Sequence, residues 1–96
     1  MPAHESAIRD IIQVDSYHFL TASQDWKLKL WAMSTEKEKE TKKFFASERM
    51  TLTGHSGRIY SLCKFGPSVL AGGSDGTIKL WDIMRQSFDE VFIQEK

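Results

Sequence analysis

The stretch Val69-Leu70-Ala71-Gly72-Gly73-Ser74-Asp75-Gly76-Thr77-Ile78-Lys79-Leu80-Trp81-Asp82 spells two strands and the turn between them. Val69, Leu70 and Ala71 form an apolar run that ends at Gly72-Gly73. Asp75-Gly76 is a pair at home where φ is positive, and the chain then alternates through Ile78, Lys79 and Leu80 to Trp81. One β-hairpin follows from this pattern, and nothing in it has a helical period.

The same hairpin stands earlier in the chain as Phe19-Leu20-Thr21-Ala22-Ser23-Gln24-Asp25-Trp26-Lys27-Leu28-Lys29-Leu30-Trp31. Trp31 and Trp81 are 50 positions apart, as are Asp25 and Asp75, and each hairpin has a histidine upstream, His4 and His55. A period in this range belongs to propellers and solenoids. With Gly54-His55 as a GH pair, Ser74-Asp75-Gly76 as the turn and Trp81-Asp82 as a closing WD dipeptide, the chain resembles the WD40 repeat family. The second copy matches almost throughout. The first departs at Ala3, where the GH glycine belongs, at Trp26, where a turn glycine is usual, and at Ala32, in place of the closing aspartate. The resemblance implies an all-β fold of two four-stranded antiparallel blades of a WD40-type β-propeller, a partial propeller with one blade over residues 1–52 and the next over 53–96.

Composition narrows the function classes. Lys and Arg total 13 and Asp and Glu total 13, so the formal net charge is zero and no basic footprint points to nucleic acid. Cys63 is the single cysteine and cannot form an internal disulfide. No secretory apolar segment follows Met1-Pro2-Ala3-His4-Glu5, and no apolar run approaches the roughly 20 residues that span a bilayer. These features predict an intracellular chain, cytoplasmic or nuclear, with no membrane insertion.

In order along the chain, residues 8–14 read as a first strand and Asp15-Ser16-Tyr17 as a turn into the hairpin of residues 18–33. The run 34–43 is charged; its best helical pair, Glu38 with Lys42, is worth only about 0.3–0.5 kcal/mol, so the expectation is a solvated loop, the alternative being a basic and acidic docking segment. Apolar residues return at Phe44, Phe45, Met50 and Leu52, which predicts an outer strand over 44–52. A second set follows, with strands over 58–65, within 68–83 and over 87–93. Two blades do not close a ring, since propellers take about 4 to 8 and a repeat cannot bury its faces alone. The chain is therefore expected to be a piece of a larger propeller or to complete a ring by self-association, with a stable lone monomer the least favoured state.

The resemblance also implies a structural hydrogen-bond network of His4, Thr21, Asp25 and Trp31 in the first blade and of His55, Asp75 and Trp81 in the second, where Ala71 holds the hydroxyl's place. A buried imidazole needs a partner at each nitrogen and an indole N–H can only donate, which gives these residue types their purpose. A catalytic reading of the His, Thr and Asp set is disfavoured, because the set recurs by repeat and its second copy lacks the hydroxyl. His4, His18 and His55 lack metal-ligand spacing, so neither metal nor cofactor is expected. Cys63, between Leu62 and Phe65, reads as a small buried thiol. Gly72, Gly73 and Gly76 lack the spacing of a phosphate loop.

The function implied is a non-catalytic interaction scaffold whose partners are other proteins or peptides, besides the blades that complete the ring. The rival reading makes these blades the tail of a larger regulatory or enzymatic assembly, for instance the substrate-recognition part of a ubiquitin-ligase-type complex. Partners of WD40 propellers commonly dock on the rim of the narrower face. By residue, that rim falls on Ala7, Arg9, Gln24 and Trp26 in the first blade and on Arg58, Tyr60 and Ser74 in the second. Trp26 is the unusual member. Either its turn relaxes and the ring lies flat on the surface, or Trp26, flanked by Arg9 and Tyr60, forms an aromatic and basic anchor.

Overall fold

A computed structural model describes residues 2–38, 41–92 and 94. Eight strands follow one another: β1 (Ile8–Gln13), β2 (His18–Ser23), β3 (Leu28–Glu38), β4 (Thr41–Leu52), β5 (Ile59–Phe65), β6 (Ser68–Gly73), β7 (Ile78–Asp82) and β8 (Ser87–Val91). They form two four-stranded antiparallel meanders, β1-β2-β3-β4 and β5-β6-β7-β8, with no strand shared between them. The β2–β3 and β6–β7 connections are short turns with the residues such turns require. Asp25 and Asp75 each accept, through Oδ1, the N–H two residues on, at 3.0 Å. Trp26 at φ 75° and Gly76 at φ 78° close the same turn in the two sheets.

Alternation decides which side of each sheet is buried. Leu20, Ala22, Leu28, Leu30 and Leu52 of the first sheet meet Ile59, Leu62, Val69, Ala71, Trp81 and Ile83 of the second in one core. Strand β5 lies against β1 and β2. Two polar contacts cross the same junction: Asp10 Oδ2 accepts the Leu62 N–H at 2.7 Å, and Lys64 Nζ donates to the Val14 carbonyl at 3.0 Å. A bulge at Arg9 shifts the register of β1, and the matching bulge at Tyr60 shifts that of β5.

Three expectations are corrected. The charged run 34–43 is not a loop over its described residues, since β3 continues to Glu38 and β4 begins at Thr41. The stabilising pairs are across the strands rather than along a helix: Ser34 faces Phe45, Thr35 faces Phe44 and Glu36 faces Lys43. This ribbon gives the molecule a long axis of 61 Å against 27 and 21 Å. Cys63 is exposed, because Leu62 turns toward the first sheet and its neighbour must point to the opposite, uncovered side. The last strand ends at Val91 rather than reaching 93, and Ile93 lies outside the described residues.

Candidate protein-docking site

Each sheet is pinned near its β2 or β6 end by a histidine brought back from the segment before its first strand. In the first sheet a carboxylate can only accept, so His4 Nδ1–H donates to Asp25 Oδ2 at 2.8 Å. Nε2 then accepts from the Thr21 hydroxyl at 2.6 Å, and Thr21 Oγ1 accepts the Trp31 indole N–H at 2.9 Å. Four side chains thus form one unbroken relay, with His4 and Thr21 buried. Burial opposes the Asp25 charge, but the His4 hydrogen bond and the Lys27 N–H outweigh it and hold the pKa below the ordinary carboxylate value.

The second sheet makes a shorter connection. With Ala71 in the hydroxyl's place, the Trp81 indole N–H donates directly to His55 Nε2 at 3.0 Å. His55 Nδ1 then carries the proton, is buried, and has no hydrogen-bond partner among the described residues; Asp75 Oδ2 is 3.9 Å away. That oxygen is taken instead by the Ser56 N–H and hydroxyl, at 3.2 and 3.3 Å. Burial, with Lys79 adding to it, pushes the His55 pKa down, against the smaller opposing pull of Asp75. For Asp75, burial is outweighed by the hydrogen bonds from Thr77 and Ser56, and the pKa is held down to about 2.

A further exchange, which the sequence alone did not disclose, explains Ala3. In the second sheet Phe88 packs on Trp81 with ring centroids 4.8 Å apart, and a Cβ built on Gly54 would lie 2.5 Å from the Phe88 ring. The register places Glu48 opposite Trp31, where Phe88 stands opposite Trp81. Lys29 pairs with Glu48 at 2.8 Å and lies 6.0 Å over the Trp31 ring. Among the described residues Glu48, not an aromatic ring, stands opposite Trp31 in the first sheet, so a methyl group at position 3 fits. Knowing the β3–β4 register would have exposed this exchange.

The rim residues fall into three groups. Arg9 and Tyr60, both at bulges, come together across the two sheets, with the Arg9 guanidinium 5.3 Å from the centre of the Tyr60 ring. Ala7 and Gln24 are joined by main chain, the Gln24 N–H donating to the Ala7 carbonyl at 2.9 Å; Ser74 and Arg58 are joined likewise at 2.8 Å, and Ser74 Oγ also accepts the Arg58 N–H. Trp26 stands apart. Its turn does not relax: the residue sits at φ 75° with half its surface exposed. No ring stacking or cation–π contact ties Trp26 to Arg9 or Tyr60 among the described residues.

Both outer sides of the pair of sheets are uncovered by another sheet among the described residues. On the first, a cleft of about 660 Å³ is lined by Ile8, Ile11, Phe19, Trp31, Ala46 and Glu48, among others. On the second, Leu70 and Leu80 are half-buried, while Ile78, Cys63 and Phe65 are exposed. These two sides are the counterparts of the two that meet in the core, since Phe19, Thr21 and Trp31 correspond to Val69, Ala71 and Trp81, and Leu20 and Leu30 to Leu70 and Leu80.

Comparison with known proteins bears on the same residues. The pattern of the family described as WD domain, G-beta repeat, matches residues 1–32 and 46–82. The chain is 34% identical over 87 residues to Beige protein homolog 1 of Schizosaccharomyces pombe, covering 88% of this chain and 3% of that protein. It is 31% identical over 91 residues to the pre-mRNA-splicing factor PRP46 of Candida albicans, covering 91% of this chain and 21% of that protein. To the ribosome biogenesis protein WDR12 homolog of Drosophila mojavensis the identity is 33% over 88 residues, 83% of this chain and 21% of that protein. The chain thus spans about a fifth of the length of these relatives or less. Two paired tryptophan–histidine relays, two matching turns and two matched repeats lead to one conclusion: the chain belongs to the WD40 repeat family.

Proposed function

We propose that this chain is a two-blade section of a protein-interaction propeller, non-catalytic itself, whose bare outer sides are covered by further blades. One observation carries the reading. The Trp81 side of the second blade packs in one core with the Leu20 and Leu30 side of the first, while the equivalent Trp31 side and the equivalent Leu70 and Leu80 side meet no other sheet among the described residues. Further blades, or copies of this chain, are the surfaces of matching shape. The blade boundary falls between residues 52 and 53, at the link between the two sheets. The reading places the chain inside the cell, in cytoplasm or nucleus. The names of the splicing and ribosome-biogenesis relatives agree with an assembly role, and the zero net charge favours protein over nucleic acid as partner.

The partner surface in this reading is the rim of Ala7, Arg9, Gln24, Trp26, Arg58, Tyr60 and Ser74. A large aromatic side chain held in a strained turn, half exposed, with a guanidinium–aromatic pair on the same rim, has the composition of an interface hot spot. Affinity capture from cell extract with the wild-type chain and with Trp26→Ala, Arg9→Ala, Arg58→Ala and Tyr60→Ala tests it. The expected result is loss of the same specific partners from all four variants with a nearly unchanged melting temperature. Parallel loss of binding and stability, or a footprint confined to β4 and β8, would contradict the site.

A further inference from the structure

The segment 33–45 belongs to neither the repeat nor the core. The family pattern stops at residue 32 and resumes at 46, and the intervening described residues pair as a ribbon, from Met33 opposite Ala46 to Glu38 opposite Thr41. In the second blade the same connection is a tight turn over residues 83–86, closed by the Gln86 N–H on the Ile83 carbonyl at 3.2 Å. A two-stranded ribbon without a third layer is marginal in water. This one also shows apolar side chains on both faces, Met33 and Phe44 on one and Phe45 on the other, 44%, 62% and 47% exposed. Strand β4 is the last of its sheet, so its outer main-chain groups lack a neighbouring strand among the described residues.

Charge indicates what fits there. Lys42 and Lys43 are adjacent cations on the described part of β4, and Glu36 stands opposite Lys43. Lys42 Nζ lies 5.6 Å from the centre of the Phe44 ring, so cation and aromatic share one face two residues apart. We propose that the free edge of β4 from Lys42 to Ser47 receives an extended segment of a partner protein as an added strand, with an acidic residue level with Lys42 and apolar residues level with Phe44 and Phe45. Main-chain pairing provides the attachment, the carboxylate meets the Lys42 ammonium, and the apolar residues cover the two phenylalanines. A second copy of β4 would instead bring two more lysines to an edge already rich in positive charge.

The test uses the 96-residue chain and a set of short labelled peptides on a Ser/Thr background. They carry either glutamate or lysine at a fixed distance from a pair of valines, in both chain directions, and binding is read by fluorescence anisotropy. Binding should be confined to peptides with glutamate two residues from the valine pair. It should be lost when the peptide main chain is N-methylated, and should switch to the lysine peptides with Lys42→Glu. Replacement of residues 33–45 by the sequence of residues 83–86 should abolish binding and leave the melting temperature close to wild type. Failure of any peptide to exceed the background, indifference to Lys42→Glu, or unfolding of the shortened chain would overturn the proposal, as would ribbon-dependent dimerisation in place of peptide binding. None of these changes touches Trp26, Arg9 or Tyr60, so failure here and failure of the rim site are distinguishable.

Discussion

The hydroxyl of Thr21 stands between Trp31 and His4, whereas Trp81 and His55 bond directly, and the two blades differ in their polar satisfaction because of that one group. Thr21→Ala removes an acceptor and a donor at a buried junction and should destabilise by about 1–3 kcal/mol. Ala71→Ser adds a hydroxyl that lets His55 move back toward Asp75 and give its buried Nδ1–H a partner, so it should be neutral or stabilising. Chemical denaturation of both variants checks this; a neutral Thr21→Ala with a damaging Ala71→Ser would break the alignment of the two relays. His55 also predicts a pH dependence. Its folded pKa is lowered from the ordinary 6.5, chiefly by burial, so the neutral form is the one the fold prefers. Its stability contribution is present above 6.5 and is lost as pH falls through the folded pKa. Melting temperature should therefore decline from pH 7.5 toward pH 5 more steeply in wild type than in His55→Gln, and equal slopes would contradict the assignment.

At the scale of strands and turns, Trp26 is the point of strain. A bulky residue at φ 75° costs of order 1–3 kcal/mol, and Gly76 holds the same turn at φ 78° without that cost. Trp26→Gly should raise stability by about 1 kcal/mol while weakening partner capture, a pairing of effects that denaturation and capture experiments measure separately. The hairpins around this turn were legible in the sequence, because strand alternation and turn residues are local properties. So was the repeat; of the network residues the sequence suggested, His4, Thr21, Asp25 and Trp31 are joined by hydrogen bonds, as are His55 and Trp81, whereas Asp75 is not bonded to His55. The ribbon was not legible: Ser34, Thr35 and Glu36 look like loop residues until Phe45, Phe44 and Lys43 are placed opposite them, and that pairing is a non-local fact. Cys63 was misplaced for a related reason. Leu62 and Phe65 near it suggest an apolar surrounding, and the side that is covered depends on where the neighbouring blade sits. The tolerance of Ala3 likewise depends on a residue in a distant strand, Glu48 in place of a phenylalanine.

For the whole molecule, the two blades bury one pair of sides and leave the complementary pair uncovered, each lined by large apolar residues such as Ile11 and Phe65. An arrangement of that kind is head-to-tail, so the side exposed on one unit matches the side exposed on the next, and it closes only when enough blades are present. The most direct test is sedimentation velocity of the isolated 96-residue chain over a dilution series. The account predicts concentration-dependent species heavier than 11.0 kDa, reduced when Trp31 and Phe19 on one bare side are replaced by polar residues. A single species of 11.0 kDa at every concentration, joined to a cooperative melt at high temperature, would contradict it.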